Sequence, residues 1–111
     1  LKELKFVPKS ENFTGSVTLR MPSFDERYEV LDSMGLKVSG DGEVSMSDAT
    51  SFSSIRNLVK ASIKFYVSVE LDHNDGRKFR STDDLLMEPD CDAVLIEVAS
   101  GITKGFKMGK T

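Results

Sequence analysis

A chain of 111 residues that is 39% hydrophobic and 30% charged has apolar material for one core, and is too apolar to read as disordered. Its formal net charge of −3 and pI near 5.1 disfavour broad binding to nucleic acid or to an anionic membrane, since either wants a basic face. A single cysteine, Cys91, excludes an intrachain disulfide, and with a single histidine, His73, it does not complete a structural zinc site.

In chain order, residues 12–24 ("NFTGSVTLRMPSF") alternate apolar Val17, Leu19 and Met21 with Thr18 and Arg20, the period of a half-buried strand that Pro22 ends. Asn12-Phe13-Thr14 fits a glycosylation acceptor pattern, but no secretory signal accompanies it. Ser23 stands as an N-cap, with Glu26 three residues on completing a capping box. The helix that follows places Phe24, Tyr28 and Leu31 on one stripe and stops at Gly35. Residues 36–46 are either a small hairpin turning at Gly40-Asp41-Gly42 or a loop.

Asp48 is placed to cap a longer helix on which Phe52, Ile55, Val59, Ile63 and Tyr66 recur at helical spacing, as on a core helix. The period then changes. Phe65, Val67, Val69 and Leu71 alternate with Tyr66, Ser68, Glu70 and Asp72, so a strand begins near residue 65.

The acidic stretch after it resembles a calcium loop only superficially. Counting from Asp72, the glycine falls at position five rather than six, position twelve is Asp83 rather than glutamate, and the preceding segment alternates as a strand rather than a helix. Turn chemistry explains the same residues. Asn74, Asp75 and Gly76 turn a hairpin whose second strand is "RKFR", and Ser81 caps a helix with Asp84 in the reciprocal position and Asp83 favoured by the helix dipole. Leu85, Leu86 and Met87 beside this acidic rim are either the core face of a short amphipathic helix or a surface for a partner.

Pro89 separates that helix from a last one, which begins at Asp90 and Asp92, ends with Lys104 and Lys107, and carries Val94, Leu95, Val98 and Ile102 as its apolar stripe. Gly101 weakens its interior by about 1 kcal/mol relative to alanine. Beyond it, Phe106 and Met108 are either a buried satellite or a mobile apolar tail that finds burial on another chain. The candidate partner-binding residues are therefore Leu85, Leu86, Ile102, Phe106 and Met108.

Catalytic, metal and cofactor constellations do not emerge. "GFKMGKT" has three residues between its glycines where a phosphate loop has four, and it lacks the strand before and the helix after. Asp83-Asp84 and Asp90-Asp92 sit at helix starts, where carboxylates serve as caps. Cys91 lies between carboxylates that raise its pKa, so it reads as inert, and its solitary presence suits a reducing cytosol. No apolar run approaches the roughly 18 residues of a membrane span, and no signal peptide is visible. The expectation is a protein that is not an enzyme and holds no metal or cofactor.

Charge is uneven along the chain. Residues 1–20 carry four basic and two acidic groups, residues 72–92 carry three basic and seven acidic, and residues 93–111 set Lys104, Lys107 and Lys110 against Glu97. Ends of opposite sign favour head-to-tail contact between copies, which closes into rings or winds into helices. The elements together predict a small single α+β domain over residues 1–111. It has an N-terminal strand or hairpin, a central helix, a β-hairpin around residues 65–80 and C-terminal helices, with a flexible tail at 105–111.

The order of "GSVTLRMPSFDERYEVLDSM", a middle helix, "FYVSVELDHNDGRKFRSTDDLL" and a terminal helix ending "GITKGFKMGK" resembles the tail assembly chaperones of long-tailed bacteriophages in the lambda-like and HK97-like group. The resemblance runs from about residue 5 onward and rests on element order and short diffuse motifs. It implies a homo-oligomer, as a ring or spiral, that holds the aggregation-prone tape measure protein in the host cytoplasm and helps bring the major tail tube protein to it. It also implies absence from the mature virion and, for many members, a longer form made by ribosomal frameshifting, with which Gly109-Lys110 is compatible. No catalytic residue is carried over. The competing expectation is a small structural neck or tail-completion protein that stays in the particle.

Overall fold

Alternation in the two long hydrophobic runs produces a sheet with one greasy face. The computed structural model describes residues 2–33 and 52–104. Within them β1 (Glu3–Phe6), β2 (Phe13–Arg20), β3 (Tyr66–His73) and β4 (Lys78–Phe79) form one antiparallel sheet in the order β1-β2-β3-β4. Phe6 lies opposite Val17, Val17 opposite Val69, and Leu71 opposite Phe79, so apolar cross-strand pairs line one face from edge to edge. Thr14, Ser68 and Glu70 point away from that core and are exposed.

The helices cover the greasy face. They are α1 (Phe24–Ser33), α2 (Phe52–Ser62), α3 (Thr82–Leu86) and α4 (Asp92–Lys104), and α1, α2 and α4 pack on one another. Val30, Leu58, Leu85, Val94, Leu95, Val98 and Ile102 meet Val17, Leu19, Phe65, Val69 and Leu71 in one core. Each such fully buried side chain contributes about 1.5–3 kcal/mol relative to exposure, so this layer, rather than any single polar contact, holds the α+β fold together.

The capping box at α1 forms as expected. The Glu26 N–H donates to Ser23 Oγ at 3.2 Å, and the Ser23 N–H donates to Glu26 Oε1 at 2.9 Å. Arg20 at the end of β2 adds a bidentate pair to the same carboxylate, both bonds 2.9 Å, locking the strand to the helix across Pro22. The Arg20 guanidinium, then the Ser23 N–H, hold the Glu26 carboxyl down to about 2. A depressed folded-state pKa gives stabilisation that is complete above about 4.5 and is lost as pH falls from there towards 2. Glu26→Gln, which keeps the shape and removes the charge, is expected to make the melting temperature fall less steeply across that acidic window. Melting curves between pH 2 and pH 7 on both proteins check this, and parallel pH profiles would contradict it.

Three sequence expectations are corrected by local geometry. On α1 the buried pair is Val30 and Leu31, while Phe24 is 69% exposed and rests its ring on Tyr28 with centroids 4.5 Å apart. Phe24 is the first residue of the helix. On α2, Leu58 is buried, followed by Ser62 and then Phe65 in a 3-10 turn over Ile63–Phe65, whereas Ile55, Val59 and Ile63 lie only partly buried on the flank. On β3 the register slips between Thr18 and Leu19, so Thr18 faces Ser68 but Leu19 faces Tyr66, leaving Val67 as an extra, bulged residue. Tyr66 therefore takes the inward place opposite Leu19 that the alternation assigned to its neighbour, and Val67 is 50% exposed. Burial pushes the Tyr66 hydroxyl pKa well up.

The hairpin at Asn74–Gly76 forms with a three-residue loop. The Gly76 N–H donates to the His73 carbonyl at 3.0 Å, the His73 N–H donates to the Arg77 carbonyl at 2.8 Å, and Gly76 has φ +99°, the left-handed residue this loop class requires. Its second strand is shorter than "RKFR", only Lys78–Phe79, because Arg80 is drawn away to the next cap. The Arg80 N–H donates to Asp84 Oδ2 at 2.8 Å while the Asp84 N–H donates to Ser81 Oγ at 3.2 Å. The reciprocal bond expected at Ser81 is thus made one residue earlier.

At the far end, Arg27 of α1 donates to the Thr103 carbonyl from Nε and a terminal nitrogen, at 3.3 and 3.0 Å, tying α1 to the last turn of α4. The helix runs through Gly101 to Lys104. The expected stop at Gly35, the hairpin or loop at 36–46, the Asp48 cap and the tail at 105–111 lie outside the described residues.

Candidate functional site

Adjacent residues on a helix are about 100° apart, so one member of a neighbouring apolar pair can be buried while the other faces outward. Two such pairs here create the site. Leu85 is fully buried and Leu86 is 45% exposed; Leu95 is 5% exposed and Ile96 is 39% exposed. Leu86 and Ile96 turn toward Ile55 and Val59 on the flank of α2, and together they line an open groove of about 470 Å³ between α2, α3 and the first turns of α4.

The groove has an apolar floor and charged rims. Arg56 and Lys60, four residues apart on exposed positions of α2, form one rim, and Asp92 at the start of α4 stands on the other. Neither Arg56 nor Lys60 makes an ion pair among the described residues. Met87, next to Leu86, is 83% exposed.

The sequence-predicted contact residues separate into three groups. Leu86 lies in the groove wall. Leu85 and Ile102 are 0% and 1% exposed, which corrects their assignment to a partner surface: both are committed to the core under the sheet and offer nothing to a second chain. Phe106 and Met108 lie outside the described residues. Ile55, Val59 and Ile96 were missed as site residues, the first two because helical spacing alone reads them as core. The doublet Leu95-Ile96 carried the signal that would have exposed the third.

The acidic stretch that resembles a calcium loop is organised by a guanidinium. Arg77 reaches Asp75, Glu88 and Asp90, each at 2.7 Å, and ties the hairpin loop to the turn before α4. Arg77 holds the Asp75 carboxyl down to about 2, first through its side chain and then through its N–H. Arg80 pairs in the same way with Asp72 at 2.8 Å. Among the described residues no group of three or more His, Cys, Asp or Glu is placed to hold a metal ion. Cys91 is fully buried; burial first, then the Glu88, Asp90 and Asp92 carboxylates, push its thiol up to about 11, far from the reactive thiolate range. No helix among the described residues is long and apolar enough to cross a membrane.

A second open surface is the β4 side of β3. Strand β4 pairs only with Leu71 and Asp72, so β3 continues past it from Glu70 to Tyr66 beside a shallow pocket of about 240 Å³ walled by Arg80, Ser81 and Thr82. No family model matches the chain, and no curated protein or solved structure matches it.

Proposed function

We propose that this chain is a tail assembly chaperone of a long-tailed bacteriophage, acting in the host cytoplasm and absent from the finished virion. In that role it binds the tape measure protein, keeps it soluble and promotes its meeting with the major tail tube protein, and it performs no chemistry. The observation that carries the reading is the open apolar groove of Ile55, Val59, Leu86 and Ile96 on an otherwise ordinary small domain, taken with the order of elements that resembles the family. A contact surface of that kind suits a protein whose work is to cover apolar segments of another chain.

Oligomerisation belongs to the same proposal. The basic stretch with Lys2, Lys5 and Lys9 runs along and beside the edge strand β1, and the acidic stretch from Asp72 to Asp92 runs from the end of β3 through the opposite edge of the sheet and the turns after it. Stretches of opposite sign support head-to-tail contact, and repetition around an oligomer multiplies weak sites into avidity.

Co-expression with a tape measure protein tests the reading. The tape measure protein is expected to move from the insoluble to the soluble fraction when this chain is present. An unchanged soluble fraction would contradict the proposal, as would recovery of this chain in stoichiometric amount from purified virions.

A further inference from the structure

We infer that the groove between α2 and α4 receives an amphipathic helix of another protein, with its apolar stripe in the groove and a flank of acidic residues laid against α2. This rests on the binding reading above and names the chemistry of the occupant.

A helix is favoured over an extended segment by backbone accounting. The walls are helical surfaces, on which main-chain N–H and C=O groups away from the helix ends are paired within the helix and side chains face outward. An extended peptide would bring unpaired main-chain groups into an apolar channel that has no backbone partners to offer, at a cost for each group. A helix arrives with its own bonds made and presents only side chains. Dimensions agree. At about 1.5 Å per residue, the apolar wall from Ile55 to Val59 runs about 6 Å and that from Asp92 to Ile96 about 6 Å, the rise between two anchors at i and i+4.

Charge sets the orientation and the kind of helix. Arg56 and Lys60 stand one turn apart on the α2 rim without carboxylate partners among the described residues, a spacing matched by acids at i and i+4 on the incoming helix. Asp92 on the facing rim repels the same acids, so the acidic flank lies along α2. Closely opposed charges select partners mainly by penalising the wrong sign.

The test uses the full chain and two synthetic helical peptides with the same i, i+3, i+4 apolar stripe, one flanked by glutamate and one by lysine. The glutamate-flanked peptide is expected to bind the native chain about tenfold more tightly than the lysine-flanked one, in low salt. The double variant R56E/K60E, altered only at exposed positions, is expected to reverse that preference. Ile96→Asp is expected to abolish binding of both while leaving the melting temperature within a few degrees. Equal binding of the two peptides, a preference unchanged in R56E/K60E, or undiminished binding to Ile96→Asp would each overturn the inference. So would binding that emerges only after residues 105–111 are deleted, which would give the groove to the chain's own end. Failure of the function is read separately. If R56E/K60E still keeps a tape measure protein soluble as well as the native chain does, the inference falls and the function stands. If the native chain shows the peptide preference yet leaves tape measure proteins insoluble, the inference stands and the function falls.

Discussion

Gly15→Ala is expected to cost the domain most of its stability, while Gly76→Ala, at nearly the same backbone angle, is expected to cost only its backbone strain, roughly 1–2 kcal/mol. Both glycines lie in the left-handed region, with φ of +103° and +99°. An alanine there carries roughly 1–2 kcal/mol of conformational strain at either position. What differs is the space. A Cβ on Gly15 would sit 2.0 Å from the Glu70 carbonyl oxygen, a backbone atom of the neighbouring strand, whereas a Cβ on Gly76 meets nothing within 4 Å. Relief at Gly15 requires β2 and β3 to part, and their pairing from Phe13–His73 to Leu19–Tyr66 is the centre of the sheet. A domain of this size has about 5–15 kcal/mol in total, so parting its central strands approaches unfolding. Thermal melts of the two variants decide the matter, and equal melting temperatures would show that the strand contact is not as close as described.

Leu85→Ala and Leu86→Ala, neighbours in sequence, are expected to fail in different assays. Leu85 is 0% exposed within the core shared with Val94 and Leu71, so truncation should cost about 2–5 kcal/mol. Leu86 is 45% exposed and lines the groove, so its truncation should cost under about 1 kcal/mol and weaken partner binding instead. Urea unfolding separates the two directly. Similar losses of stability would mean that Leu86 belongs to the core and that the groove is shallower than it is drawn.

Much of the architecture was legible because local signals agreed with one another. The Ser23–Glu26 box, the Asn74–Gly76 turn, the Ser81 cap and the stripe of Val94, Leu95, Val98 and Ile102 each depend on residues within a turn or two, and each is found where expected. What was not legible depends on neighbours distant in sequence. The bulge at Val67 follows from matching β3 to β2, and no period within β3 announces it. The same holds for Phe24, whose 69% exposure is not announced by its place on the stripe with Tyr28 and Leu31.

The candidate site was half legible. Leu86 was singled out together with Leu85, but periodicity gave no means of telling which leucine the sheet would claim. Ile55 and Val59 sit at core spacing but are only partly buried, Val59 packing against the core from its edge while both also line the groove, and the fully buried places are taken by Leu58 and Phe65. The acidic loop shows the opposite situation. Its spacing argued against calcium, and the structure supplies what those carboxylates are for, namely three contacts to Arg77.

The account depends on the exposed groove side chains covering another protein's apolar surface. Its most direct test is the soluble fraction of a tape measure protein co-expressed with the native chain or with a variant carrying both Leu86→Asp and Ile96→Asp, at matched expression and with the variant's fold verified by its melting curve. The account predicts protection by the native chain and precipitation with the variant. Equal protection by both would contradict it.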